Sequence, residues 1–149
     1  MKRTIIFVNQ FKDMIQRIQS IYMLLVAAIA GGLTFIFSLY TLESGVEVFA
    51  KDDSLYIGLF MASAILAIIT IFLFKNRKLQ FVLNRFNIIF NLILLGVFVY
   101  RMLTLSGETA VSEKGIGIII PIISIVLLVL ANRAIKKDED LVKSVDRLR

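Results

Sequence analysis

The stretch LYIGLFMASAILAIITIFLF, residues Leu55–Phe74, contains no charged residue over 20 positions. A helix needs about 20 consecutive apolar residues to cross the hydrocarbon core of a bilayer. The run is continuously apolar and lacks the alternation that is typical of membrane β-strands. The stretch therefore predicts a membrane-spanning α-helix.

Three further apolar runs flank this stretch along the chain. Together the predicted spans cover about residues 21–40, 55–74, 82–105 and 115–134. No Pro- or Ser-rich linker divides them, so residues 1–149 are expected to form a single membrane domain. The predicted fold class is all-α, an integral membrane four-helix bundle with amphipathic helical N- and C-terminal extensions. The extensions are an interfacial helix over about residues 4–20 and a cytoplasmic helical tail over about residues 135–149.

The composition excludes several chemistries. The chain has 149 residues, of which 58% are hydrophobic, and it contains neither cysteine nor histidine. Disulfides, thiol or imidazole metal sites, haem ligation by these residues and histidine general-base catalysis are therefore excluded. No metal site, cofactor or catalytic residue is predicted.

Carboxylates are missing from the interior of all four predicted spans. Proton-coupled transporters usually place Asp, Glu or His within the membrane, and membrane enzymes need comparable groups for acid–base chemistry. The sequence therefore predicts neither class. A passive pore stays open as an interpretation, because Asn and Gly suffice to line one.

The basic residues are distributed unevenly between the loops. Of the 17 Lys and Arg residues, 14 lie in the N-terminal segment, the second connection and its border, or the C-terminal tail. The other three, Lys51, Arg101 and Lys114, lie near the first and third connections. The positive-inside rule then places both termini in the cytoplasm. This distribution explains the net charge of +6 as a topology signal and argues against nucleic-acid binding.

Both ends of the chain carry an apolar stripe at helical spacing. The N-terminal stripe consists of Val8, Phe11, Ile15, Ile18 and Tyr22, and the tail stripe consists of Leu141, Val142, Val145 and Leu148. The first predicts a helix that lies on the lipid surface. The second is interpreted either as a solvated helical end with i,i+4 ion pairs or as a face that docks against a partner or the membrane.

Four amides form a polar stripe on the third span: Gln80, Asn84, Asn87 and Asn91. Their steps of four, three and four residues place all of them on one helical face. An amide that faces lipid lacks hydrogen-bond partners, so this face should turn toward the other helices. The amides are interpreted as holding the bundle together, as lining a groove open to the cytoplasm, or as docking another subunit.

A basic cluster is predicted at the cytoplasmic interface of the third span. It consists of Lys75, Arg77, Lys78 and Arg85. Long basic side chains reach from helix ends to the headgroups, so the predicted partners of this cluster are anionic lipids.

The two ends of the chain carry a family resemblance. MIQRIQSIYMLLVAAIA and NRAIKKDEDLVKSVDRLR resemble the ends of an uncharacterised bacterial family of small four-span inner-membrane proteins, a domain of unknown function. In the tail, Asp140, Asp146 and Arg147 match the family's spacing of Asp and Arg. The resemblance implies a multi-pass protein of the bacterial inner membrane and supplies no activity.

These observations leave two function classes. The first is a small non-catalytic accessory or structural subunit of a larger membrane complex, with membrane-complex subunits or further copies of this chain as partners. The second is a pore, small-solute or lipid-binding protein that uses the polar stripe. The second class requires a water-accessible path along the amides, whereas the first is compatible with amides sealed between helices.

Overall fold

The computed structural model describes residues 18–105 and 111–147, without the side chains of residues 111–113. Most of the predicted interfacial helix, about residues 4–20, and Leu148 of the tail stripe lie outside the described residues. Within them, four helices are each long and apolar enough to cross a membrane. The predicted all-α four-helix arrangement is confirmed.

The four helices account for most of the described chain. Helix α1 is described over residues 18–32 and leads into a 3₁₀ turn at Leu33–Phe35. Helices α2, α3 and α4 cover Ser54–Phe72, Arg77–Thr104 and Ile119–Arg147. The last helix passes without a break from the predicted fourth span into the predicted tail, so that the two form one element.

Side chains cap the helices at both ends of the bundle. The Asp53 carboxylate accepts a hydrogen bond from the Leu55 backbone N–H at 2.9 Å and begins α2. The Asn76 side chain accepts one from the Leu79 N–H at 3.2 Å and begins α3. Pro121 lies in the first turn of α4, where its missing N–H removes no intrahelical bond.

A small antiparallel sheet covers one end of the bundle, which we call the sheet end. Its strands are β1 at Tyr40–Leu42, β2 at Glu47–Val48 and β3 at Val111–Lys114, in the order β2-β1-β3. Gly45, with φ of 78°, makes the turn of the β1–β2 hairpin. The first helix therefore ends before the predicted boundary at residue 40, and the sheet joins the first and third connections.

The largest apolar cluster lies beneath the sheet. Phe98 stacks on Tyr56 with ring centroids 4.8 Å apart, and Phe60 packs beside them. The outward faces of the helices are also apolar, with Leu24, Phe86 and other large side chains exposed. An apolar exterior of this extent is expected of a surface that faces lipid.

Two ion pairs fix the bundle at its opposite ends. At the sheet end, Arg101 Nη2 lies 2.7 Å from Asp53 Oδ2 and joins α3 to α2. At the other end, which we call the basic end, Arg77 Nε lies 2.8 Å from Asp138 Oδ2 and joins α3 to α4. The α2–α3 connection and the C-terminal part of α4 both lie at the basic end.

The entry to α4 depends on a close backbone contact. The Gly115 N–H donates to Leu39 O at 2.9 Å, and the Gly117 N–H donates to Ser38 O at 2.9 Å. A Cβ at position 115 would lie 2.7 Å from the Leu39 carbonyl carbon and closer still to Ser38 O. We expect Gly115→Ala to destabilise the fold by about 1–3 kcal/mol, because backbone must move.

The matched control is Gly96→Ala in α3, where no atom lies within 4 Å of the added Cβ. Thermal unfolding in mild detergent, followed by circular dichroism, compares the two variants. The control should unfold at the wild-type temperature or higher, since Ala favours helix over Gly. An equal loss for both variants would contradict the proposed contact.

Candidate functional site

The polar stripe of α3 faces the interior of the bundle. Gln80, Asn84, Asn87 and Asn91 are all completely buried, with 0% of each residue exposed. Leu94 and Phe98 continue the same buried face toward the sheet end. The stripe is therefore enclosed by the neighbouring helices along its whole length.

Ser63 of α2 is the centre of the first hydrogen-bond group. Its hydroxyl donates to Asn87 Oδ1, and the Asn87 amide donates in return to the Ser63 carbonyl at 2.9 Å. The Asn91 amide lies 3.0 Å from Ser63 Oγ and 2.9 Å from the Asn87 carbonyl. Three buried side chains thus hold α2 against α3 by bonds in both directions.

Gln80 is the centre of a second group nearer the basic end. Its Nε2 donates to the Thr70 carbonyl of α2 at 3.0 Å. Its Oε1 accepts from Gln19 Nε2 of α1 at 3.3 Å. Gln80 therefore links three helices.

Gln19 is a buried amide that the sequence reasoning did not single out. It shares a completely buried face of α1 with Met23, Val26 and Ala30. The steps between these residues are four, three and four, the same as in the polar stripe. That spacing could have placed Gln19 on the buried face. A single polar residue on an otherwise apolar face is, however, a weak indication of a buried amide.

The side of the stripe toward α4 is polar but less completely bonded. Among the described residues, neither amide atom of Asn84 has a hydrogen-bond partner, and Ser124 Oγ and Asn132 Oδ1 of α4 have none. From the Arg77–Asp138 pair, Asn91 and Ser124 are each 14 residues away. Both therefore lie roughly 21 Å along their antiparallel helices. The two helices thus present buried polar groups at matching heights.

Aromatic side chains close the stripe toward the sheet end. Phe98 stacks on Tyr56, and the Arg101 guanidinium lies 5.7 Å from the Tyr56 ring. Arg101 in turn is paired with Asp53. No polar side chain of the stripe therefore reaches the surface at this end.

The structure separates the four predicted members of the basic cluster. Arg77 is paired with Asp138, and the Lys75 ammonium lies 5.9 Å from the centre of the Phe74 ring. Lys78 and Arg85 line one groove together with Lys136 of α4. The binding of anionic lipids by the four residues stays a prediction.

The tail stripe lies on the last turns of α4. Leu141 and Val145 are exposed, and Val142 is half-buried. Lys143 Nζ lies 2.9 Å from Glu139 Oε1, as the i,i+4 spacing predicts. Lys136 and Asp140, the other expected pair, form no ion pair within the described part of the chain.

No group of three or more His, Cys, Asp or Glu residues within residues 18–105 and 111–147 could hold a metal ion. The interior instead offers neutral amides and hydroxyls, which bind by hydrogen bonding.

These features define a small membrane protein with four helices that can span a bilayer and an interior linked by side-chain amides. The chain belongs to the family described as a domain of unknown function (DUF4293), whose sequence profile matches residues 15–148. This match confirms the expected membership of an uncharacterised family. Searches of curated proteins and of solved structures found no match.

The two kinds of amide in the stripe predict opposite responses to the same substitution. Asn87→Leu removes the bonds to Ser63 and should destabilise the bundle by about 1–2 kcal/mol, at the upper end for intramembrane hydrogen bonds. Asn84→Leu removes an amide without a described partner and should be neutral or stabilising. Thermal unfolding in detergent distinguishes the variants, and an Asn84→Leu loss as large as that of Asn87→Leu would contradict the assignment.

The Arg77–Asp138 pair predicts a second contrast. The Asp138 side chain is only 1% exposed, and its removal leaves the Arg77 guanidinium without its counter-ion. Asp138→Ala should therefore destabilise the fold by about 3 kcal/mol, the lower end for a buried pair, because Arg77 still contacts solvent. Arg77→Met combined with Asp138→Leu should recover most of this loss.

Glu139→Gln is the matched control for this experiment. It breaks the exposed Glu139–Lys143 pair one residue further along α4. Exposed i,i+4 pairs contribute little to stability because water screens them, so the unfolding temperature should hardly change. A similar effect of Asp138→Ala and Glu139→Gln would show that the Arg77 pair is not a structural anchor.

Proposed function

We propose that the protein is a non-catalytic accessory or structural subunit of a larger membrane complex in the bacterial inner membrane. The observation that carries this proposal is the projecting end of α4. Asp138 is the last completely buried residue of the helix, and α4 continues to Arg147. The bundle needs no such extension for its own core, and an exposed helical end is suited to bind another protein.

The chemistry of the projecting end supports a docking role. Leu141 and Val145 are one helical turn apart on one face and are 40% and 39% exposed. Lys143 lies on the opposite face, and Asp146 lies about 100° around the helix from Val145. The end is therefore amphipathic. A helix that only contacts water does not need an apolar face, so this face is suited to bind a partner.

The sealed interior argues against the alternative of a pore or small-solute channel. Such a path would need water access along the polar stripe, and its four side chains are completely buried. Most of their polar atoms are also bonded to α1, α2 or one another. The amides are better suited to hold helices together.

The proposed orientation places the basic end and both termini in the cytoplasm. Lys75, Lys78 and the tail lysines lie at the basic end, whereas the sheet end carries Glu43, Glu47 and other acidic residues. This asymmetry is the one that the positive-inside rule associates with cytoplasmic loops. The apolar face formed by Leu141 and Val145 would then bind a cytoplasmic or membrane-embedded partner.

The test is purification from native membranes in mild detergent through a tag joined by a flexible linker. Light scattering and mass spectrometry then give the composition and size of the complex. We expect a partner of fixed stoichiometry with the wild type and its loss in Leu141→Asn/Val145→Asn. The matched control is Lys143→Gln/Asp146→Asn, which leaves the net charge unchanged and alters residues outside the Leu141–Val145 face. A wild-type protein that purifies alone, or as copies of itself, would contradict the accessory-subunit proposal.

A further inference from the structure

We propose that a groove between α3 and α4 at the basic end binds the phosphate of an anionic phospholipid. The groove, which we call the α3–α4 groove, has a volume of about 410 Å³. Its lining consists of Lys78, Phe81, Val82 and Arg85 from α3 and Lys136 and Glu139 from α4. It therefore combines three cations with an apolar floor.

The charges of the groove favour an anion. Its one carboxylate, Glu139, is already paired with Lys143 at 2.9 Å, so that its charge is offset. Lys78, Arg85 and Lys136 form no ion pair with a carboxylate in the described part of the chain, unlike Arg77 and Arg101. A phosphate could therefore bind these cations without breaking an existing ion pair.

Arg85 is held in place by the floor of the groove. Its guanidinium lies 4.5 Å from the centre of the Phe81 ring, within the range of a cation–π contact. A guanidinium in such a contact still has N–H groups with which it can bind phosphate oxygens in pairs. Lys78 and Lys136 supply point charges from the two sides of the groove.

The surface beyond the groove identifies the occupant as a lipid. Val82 of the floor is followed on the same face of α3 by Phe86, Ile89 and Ile93, and all four are exposed. This apolar strip leads from the cations toward the middle of the predicted span, in the direction that an acyl chain takes from its headgroup. Basic pockets between helices at a membrane surface are known to hold anionic headgroups. A soluble anion has no acyl chain that could contact the strip.

The experiment measures lipid binding by the purified full-length chain in a neutral detergent. Native mass spectrometry records adducts as phosphatidylglycerol or phosphatidylcholine is added, with and without inorganic phosphate. We expect phosphatidylglycerol to bind in preference to phosphatidylcholine, and inorganic phosphate not to displace it. Equal binding of the two lipids, or displacement by millimolar phosphate, would overturn the proposal, the latter in favour of a soluble anion.

Two charge-matched double variants locate the site. Arg85→Gln/Lys136→Gln removes two groove cations and should weaken phosphatidylglycerol binding roughly tenfold. Lys75→Gln/Lys137→Gln removes the same charge from the basic end without touching the groove and should leave binding within about twofold. An equal loss in both would show that only the overall surface charge matters.

A conservative exchange controls for folding. Arg85→Lys/Lys136→Arg keeps the charges and should retain preferential binding, and thermal unfolding should be unchanged in all three double variants. Loss of lipid preference in this exchange, with a stable fold, would overturn the charge argument. The measurement uses the isolated chain, so its outcome is independent of whether the protein has a partner complex.

Discussion

An amide side chain in the hydrocarbon of a bilayer loses its hydrogen bonds to water and cannot replace them from lipid. This constraint orients α3, because four amides share one of its faces. The bonds of Asn87 to Ser63, and of Gln80 to Thr70 and Gln19, then determine which faces of α2 and α1 lie opposite. Since these bonds occur at two heights, sliding one helix by a residue would break both groups together.

The contact between α3 and α4 rests on different physics. Asn84 of α3 and Ser124 and Asn132 of α4 are buried with incomplete bonding among the described residues. Leu128 and Ile135 of α4 lie in apolar clusters that include Ile88 and Phe81 of α3, and the Arg77–Asp138 ion pair joins the two helices at the basic end. An ion pair at that depth lets one partner remain in contact with solvent, so the cost of burying charge is smaller than in the bilayer centre.

The parts of this fold that follow from local periodicity could be predicted, and the parts that depend on distant pairing could not. The steps of the polar stripe determine its face for any α-helix. The sheet is different, because β1 pairs with β3 across more than 60 residues and neither strand shows a long alternating pattern. The different neighbours of the basic residues also depend on packing: Arg77 and Lys78 are adjacent in sequence but point about 100° apart on a helix, so that Arg77 pairs with Asp138 and Lys78 lines the α3–α4 groove.

The distribution of chemistry restricts how this protein can act. Gln80, Asn87 and Asn91 form hydrogen bonds that join α3 to α1 and α2, and both proposed recognition surfaces lie on the outside of the bundle. At the basic end, Lys136 of α4 faces the α3–α4 groove, and Leu141 and Val145 lie on the part of the same helix that projects further. Because Arg77 pairs with Asp138, the ion pair fixes the position of both surfaces of α4 relative to α3. A lipid headgroup in the groove would lie beside the base of the projecting helix, so the two proposed surfaces share one rigid support.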